Sequence, residues 1–218
     1  MLDNKGFDMW ADGYDRSVNL SEEDNEYPFA GYKDVLNYIY YQVRDENSAN
    51  VLDIGFGTGV LTTRLYDAGY AITGIDFSRN MIDIAREKMP NATLIDWDFS
   101  KGLPNEIVDR RFDYIISTYA IHHLTEKEKE GFIKLLINLL NEKGKILIGD
   151  VSFETRNELE TCKEKFDELW DYDEIYFVAD EIIKDFDDRY SCVFTKISHC
   201  AGVLTISNQS DGGSYENS

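Results

Sequence analysis

The sequence predicts an α/β fold, a doubly wound and mostly parallel sheet of seven strands with an antiparallel C-terminal hairpin. Three observations predict it. Short apolar runs alternate with helix-periodic segments from about residue 50 to residue 151, the pattern of parallel strands covered by helices on both faces. The first apolar run, "VLDI", passes directly into "GFGTG", a glycine-rich turn where a strand enters a helix. Near the C-terminus, "YSCVFTKI" and "CAGVLTIS" follow each other closely enough to pair as a hairpin at the sheet edge.

The elements follow in order. Tyr32, Val35, Leu36, Ile39 and Val43 recur at helical spacing and predict a first helix from Gly31 onward. "VLDI" is the first strand, and "VLTTRLYDAG" is a helix ending near Gly69. "AITGID" is the second strand, and Ser78 is the expected N-cap of a helix running toward Pro90. "ATLIDW" and "FDYIIST" are the third and fourth strands. Thr125 and Glu128 have the spacing of a capping box. The helix they open is expected to carry Phe132, Leu135, Leu136, Leu139 and Leu140 on one face and to stop near Gly144. "KILIGDV" is the fifth strand. Thr155 and Glu158 repeat the capping-box spacing ahead of Leu159, Cys162, Phe166 and Leu169, and a second helical stretch surrounds Ile182, Ile183 and Phe186.

These elements divide one domain of 218 residues into five parts. Residues 1–30 form an N-terminal cover, 31–151 a core, 152–190 a helical cover, 191–207 the hairpin and 208–218 a loose tail. No basic start followed by an apolar stretch marks a leader peptide, and no run reaches the roughly 18 apolar residues of a membrane span. The expectation is a cytoplasmic protein, monomeric or homodimeric, with no membrane partner. Cys162, Cys192 and Cys200 are odd in number and lack a C-x-x-C spacing, so reduced thiols are expected rather than disulfides or zinc. No metal motif appears. Lysines and arginines number 22 against 42 acids, a net charge of −20. Nucleic acid is excluded as a partner on that balance, because neutralising phosphates requires a basic cluster that this chain lacks.

The glycine turn is the sharpest functional signal. Glycine has no Cβ, so it takes backbone angles closed to other residues and lets a ligand touch the main chain. At the carboxyl end of a strand in an open parallel sheet, such a turn lies where ligands bind. The dinucleotide fingerprint G-x-G-x-x-G fails here, since its third glycine would fall on Val60. The pattern is instead Asp53-x-Gly55-x-Gly57-x-Gly59. Asp76 ends the second strand, 23 residues after Asp53, where a carboxylate can accept two hydrogen bonds from a ribose diol. "DWDFS" follows the third strand, and the fourth runs into "STYAIHHL".

Together these motifs resemble the class I AdoMet-dependent methyltransferases over about residues 30–150. The resemblance implies a Rossmann-like fold with S-adenosyl-L-methionine as cofactor and S-adenosyl-L-homocysteine as product. It places the methionine part of the cofactor against the loop of Asp53, Gly55, Phe56, Gly57 and Gly59. It puts the ribose on Asp76, the adenine between Phe77 and Met81 and against Asp98 and Phe99, and the transferable methyl beside Ser117 and the loop that follows it. Tyr14 is the candidate for the cofactor carboxylate. More loosely, "WADGYD", "YPFAGY" and "STYAIHHLTEKEK" are similar to uncharacterised bacterial methyltransferases of the YrrT type.

His122 and His123 are the candidate catalytic residues, since imidazole titrates near neutral pH and a general base is needed when the nucleophile arrives protonated. The loop "STYA" lacks the Asn/Asp-Pro-Pro-Tyr pattern of enzymes that methylate base or glutamine amides. The acidic, aromatic covers, with Trp10, Tyr27 and Phe29 in one and Trp170, Tyr172, Tyr176 and Phe177 in the other, suit a small neutral or cationic acceptor. A non-catalytic AdoMet-binding module and a nicotinamide-dependent oxidoreductase are the alternatives. Val60 in place of glycine weighs against the second.

Overall fold

The computed structural model describes residues 26–43, 49–186 and 188–209. Tyr14 and Trp10 lie outside these residues. The sheet contains β1 (Asn50–Ile54), β2 (Ala71–Asp76), β3 (Thr93–Asp96), β4 (Phe112–Thr118), β5 (Leu140–Phe153), β6 (Phe177–Val178), β7 (Tyr190–Lys196) and β8 (Ala201–Asn208). The order along its main path is β3-β2-β1-β4-β5-β8-β7. Strands β1 to β5 pair in parallel, β8 runs antiparallel to β5, and β7 closes the edge antiparallel to β8. The seven expected strands are all present. The eighth, β6, pairs through only Ser152–Phe177 and Phe153–Val178, too short a segment to show a period in sequence.

The helices are α1 (Tyr32–Val43), α2 (Val60–Asp67), α3 (Arg79–Lys88), α4 (Glu126–Ile137), α5 (Arg156–Lys165) and α6 (Ala179–Ile182). Alternation along the strands sends successive side chains to opposite faces, and two apolar clusters result. Val51, Tyr114, Ile116 and Leu147 join α1 and α2 residues on one face. Leu52, Ile54, Ile115, Ile146 and Ile148 join Phe132, Ile133 and Leu136 of α4 on the other. Helix α1 settles directly on β5 because Gly149 offers no side chain there; a Cβ at that position would lie 2.4 Å from Val35 Cγ1.

Helix starts follow the local chemistry. Ser78 accepts from Met81 N–H at 3.3 Å. At α4 the Thr125 hydroxyl accepts from Glu128 N–H at 3.3 Å while the Glu128 carboxylate accepts from Thr125 N–H at 2.8 Å. The end of α4 departs from expectation. The helix stops at Ile137, its buried stripe is Lys129, Phe132, Ile133, Leu136 and Ile137, and Leu135 is 44% exposed. Leu140 already belongs to β5. Gly144 is not a helix stop but a strand residue pressed against β4, where a Cβ would lie 2.9 Å from the Phe112 carbonyl oxygen. Leu169 likewise falls beyond α5, in a 3₁₀ turn, and is 60% exposed. Apolar spacing alone could not separate a leucine on the helix from one on the following strand. Among the described residues no helix is long and apolar enough to cross a membrane.

Candidate active site

The strand order reverses at β1, which has β2 on one side and β4 on the other. Loops leaving the carboxyl ends of β1 and β4 therefore diverge and leave a crevice, the place where open α/β sheets bind ligands. A cavity of about 310 Å³ occupies it. Gly55, Phe56, Gly57, Asp76, Phe77, Met81 and Phe99 line one part, and His122, His123 and Glu174 another. Tyr27, Phe29 and Tyr32, together with Asp171 and Tyr176, cover it.

The first two glycines answer to different constraints. Gly55 has φ +71°, and a Cβ there would lie 2.4 Å from Ala120 Cβ, so the β1 loop passes against the loop after β4. Gly57 has φ +56° and lines the cavity, with no atom within 4 Å of where a Cβ would stand. That bare backbone is what a ligand would meet. Gly59 is the residue before α2 and faces Met89 rather than the cavity.

Asp76 is 5% exposed and fastened by both oxygens: Oδ2 accepts from Gly57 N–H at 2.8 Å and Oδ1 from Ser78 N–H at 2.9 Å. These two bonds set the orientation of a carboxylate that lines the cavity. Asp53 lies beneath the loop, 1% exposed. Its Oδ2 accepts from the Thr62 hydroxyl at 2.5 Å, and its Oδ1 has no partner among the described residues. Burial pushes its carboxyl up to about 7, with the Thr62 hydrogen bond opposing and the Asp76 charge adding to the rise.

Two expected cofactor contacts are differently placed. Asp98 does not line the cavity; its Oδ1 accepts from Ser100 N–H at 3.0 Å and its Oδ2 pairs with Lys101 Nζ at 3.0 Å, capping a 3₁₀ turn. Partial burial works against its charge, but those hydrogen bonds hold the carboxyl below its usual range. Ser117 is buried, and its hydroxyl donates to the Ile54 carbonyl at 3.0 Å, tying β4 to β1. Phe56 lines the cavity and packs over Gly74, where a Cβ would lie 2.6 Å from its ring.

The histidines sit on a 3₁₀ turn, Ile121–His123, after β4. Asp150 of β5, fully buried, holds this turn twice: Oδ2 accepts from His122 N–H at 3.2 Å and Oδ1 meets His122 Nδ1 at 2.7 Å. Nε2 of His122 is left 3.4 Å from Glu174 Oε1. Glu174 Oε2 accepts from the Tyr176 hydroxyl at 2.6 Å, and Tyr176 in turn meets the Tyr27 hydroxyl. A buried lysine stitches turn and cover together, since Lys129 Nζ donates to the carbonyls of Leu124 and Ile175. The Ile175 N–H also donates to the His122 carbonyl at 2.9 Å. Burial opposes charge on His122, but Asp150 and then Glu174 outweigh it and raise its pKa. On His123 burial and the neighbouring His122 charge act together and depress it to about 3.

Sequence reasoning missed Asp150, Glu174 and Lys129. Asp150 had a signal, a lone acid inside the apolar run "KILIGDV". Glu174 had none, being one of many acids in its segment.

The comparisons agree with this architecture. A family model described as a methyltransferase domain matches residues 51–144. An uncharacterized methyltransferase of Bacillus cytotoxicus is 35% identical over 213 residues, covering 93% of this chain and 96% of that protein. Another, of Anoxybacillus flavithermus, is 42% identical over 156 residues, covering 71% and 69%. Among solved structures, magnesium protoporphyrin IX methyltransferase from Synechocystis PCC 6803 with bound SAH superposes with TM-score 0.66 at 19% identity, covering 83% of this chain and 85% of that one. With near full-length likeness to the Bacillus protein and the crevice loops in place, the chain belongs to the class I methyltransferase family.

Proposed function

We propose that the protein transfers the methyl group of AdoMet to a small-molecule acceptor. The observation that carries this reading is the cavity itself, which joins the Gly57 backbone and Asp76 at one end to His122, His123 and Glu174 at the other beneath an aromatic cover. AdoMet is the methyl donor, its ribose hydroxyls on Asp76 and its methionine part along Gly55–Gly57. The Synechocystis neighbour, with SAH bound and a porphyrin as its named substrate, supports both the donor and an acceptor of small-molecule size.

Transfer needs the acceptor's lone pair in line with the methyl carbon and the departing sulfur. Most of the rate then follows from positioning and from excluding water. Tyr27, Tyr32 and Tyr176 supply the exclusion. Among the described residues no Lys or Arg lines the cavity, whereas Asp76, Asp171, Asp173 and Glu174 do, so neutral or cationic acceptors are favoured over anions. The two histidines face the acceptor.

Calorimetry with AdoMet, AdoHcy and NAD, followed by AdoHcy release against a panel of amines, alcohols and thiols, tests this. The reading requires binding of the first two ligands, none of NAD, and turnover with at least one acceptor. Binding without turnover across the panel would favour a non-catalytic AdoMet-binding module.

A further inference from the structure

The acceptor end of the cavity is built more elaborately than in-line methyl transfer demands. One ring nitrogen from each of His122 and His123 and one carboxylate oxygen of Glu174 lie within 4.8 Å of one another. We propose that His122, His123 and Glu174 form a binding site for a divalent transition-metal ion, with Asp150 orienting His122. The proposal rests on the methyl-transfer reading only for the use made of the ion.

Four features carry it. Ligand atoms that share an ion at about 2.0–2.2 Å stand roughly 3–4 Å apart, and His122 Nε2 and Glu174 Oε1 are 3.4 Å apart; the widest separation, 4.8 Å, closes by modest side-chain rotation. Asp150 holds Nδ1 of His122 at 2.7 Å, the carboxylate–imidazole arrangement that fixes ring and tautomer so that Nε2 points at a metal. The surroundings favour a cation, since Asp171 and Asp173 line the same cavity and no Lys or Arg does among the described residues. The buried ammonium of Lys129 is turned to the carbonyls of Leu124 and Ile175. Two imidazoles and one carboxylate suit zinc or a neighbouring first-row ion rather than magnesium, which prefers oxygen ligands.

Three protein ligands leave at least one position open. The cavity lies there, so an acceptor hydroxyl or thiol can coordinate. Coordination lowers the pKa of that group, and its proton leaves to solvent. The bound oxygen or sulfur then attacks the methyl carbon; the new bond to carbon forms as the carbon–sulfonium bond breaks, and the electron pair stays on the sulfur of AdoHcy. No oxidant or reductant is involved.

The test is calorimetry of the metal-stripped full chain with Zn²⁺ alone and Mg²⁺ alone, on the wild type, His123→Ala and Glu174→Gln. Co²⁺ absorption gives a second readout and AdoMet is titrated into the same samples. One Zn²⁺ per chain, no Mg²⁺ at equal concentration, an affinity at least about 10–100-fold weaker in each variant and a Co²⁺ band lost in both would support the site. No saturable Zn²⁺ binding, or binding that survives both substitutions (at the Cys162–Cys200 thiols, for example), overturns it. AdoMet affinity retained in the variants shows that they are folded. Its absence in the wild type would sink the cofactor reading and leave the metal result standing by itself.

Discussion

The two cavity glycines make the most discriminating test of the crevice as a cofactor site, because the same substitution has opposite consequences at each. In Gly57→Ala the new methyl meets no atom within 4 Å, so the fold bears only the left-handed backbone at φ +56°, about 1–2 kcal/mol. For a chain of this length 1 kcal/mol moves Tm by about 2–4 °C, so a fall of roughly 2–8 °C is expected. The methyl stands where the ligand is to lie, and AdoMet affinity should weaken about tenfold or more, a loss of about 1.4 kcal/mol. In Gly55→Ala the methyl would stand 2.4 Å from Ala120 Cβ, against about 3.5–4.0 Å for comfortable carbon contact. The two loops must separate by more than about 1 Å, and overpacking of that kind costs about 1–3 kcal/mol on top of the backbone term. Gly55→Ala should therefore lose about 2–5 kcal/mol in urea denaturation. Thermal melts and AdoMet calorimetry on both variants decide the matter. Wild-type AdoMet affinity in Gly57→Ala would refute the reasoning that the cofactor lies on that backbone.

Further outcomes follow from other residues. Asp53 has a folded pKa of about 7, above the unfolded value near 3.9, so the folded state holds its proton longer. Stability should fall as pH rises from about 4 to 7, by at most about 4 kcal/mol; Asp53→Asn should flatten that slope in urea titrations at pH 5 and 8. Because AdoMet is cationic, its binding should ionise Asp53 and release protons near pH 7, more than AdoHcy does; calorimetry in two buffers of different ionisation enthalpy reads this, and no difference between the ligands would count against it. Ile133→Ala, in a fully buried position, should cost about 2–5 kcal/mol, whereas Leu135→Ala on the exposed face should change denaturation midpoints little. Thr125→Ala removes the capping hydroxyl of α4 and should cost about 1 kcal/mol.

Much of the fold is legible in the chain because its signals are local. The run "AITGID" is β2 without a residue to spare, "FDYIIST" is β4, and Ser78 and Thr125 mark their helix starts through side chains that reach only three residues along. The errors arise where one apolar pattern serves two elements. Leu139 and Leu140 continue the leucine spacing of α4 although that helix has ended at Ile137, because pairing of Leu140 with Phe112 captures the chain for β5. At the site, the glycine turn and Asp76 were readable for the same local reason.

The sequence by itself therefore determined the layering of the sheet, the caps and the glycine turn, since each depends on residues within a few positions of one another. Tertiary structure alone decided that Asp150 and Glu174 flank His122. Those partners lie 28 and 52 residues from the histidine, and only the crossover that sets β5 beside β4, with the cover folded back over both, brings three otherwise ordinary acids and imidazoles into contact.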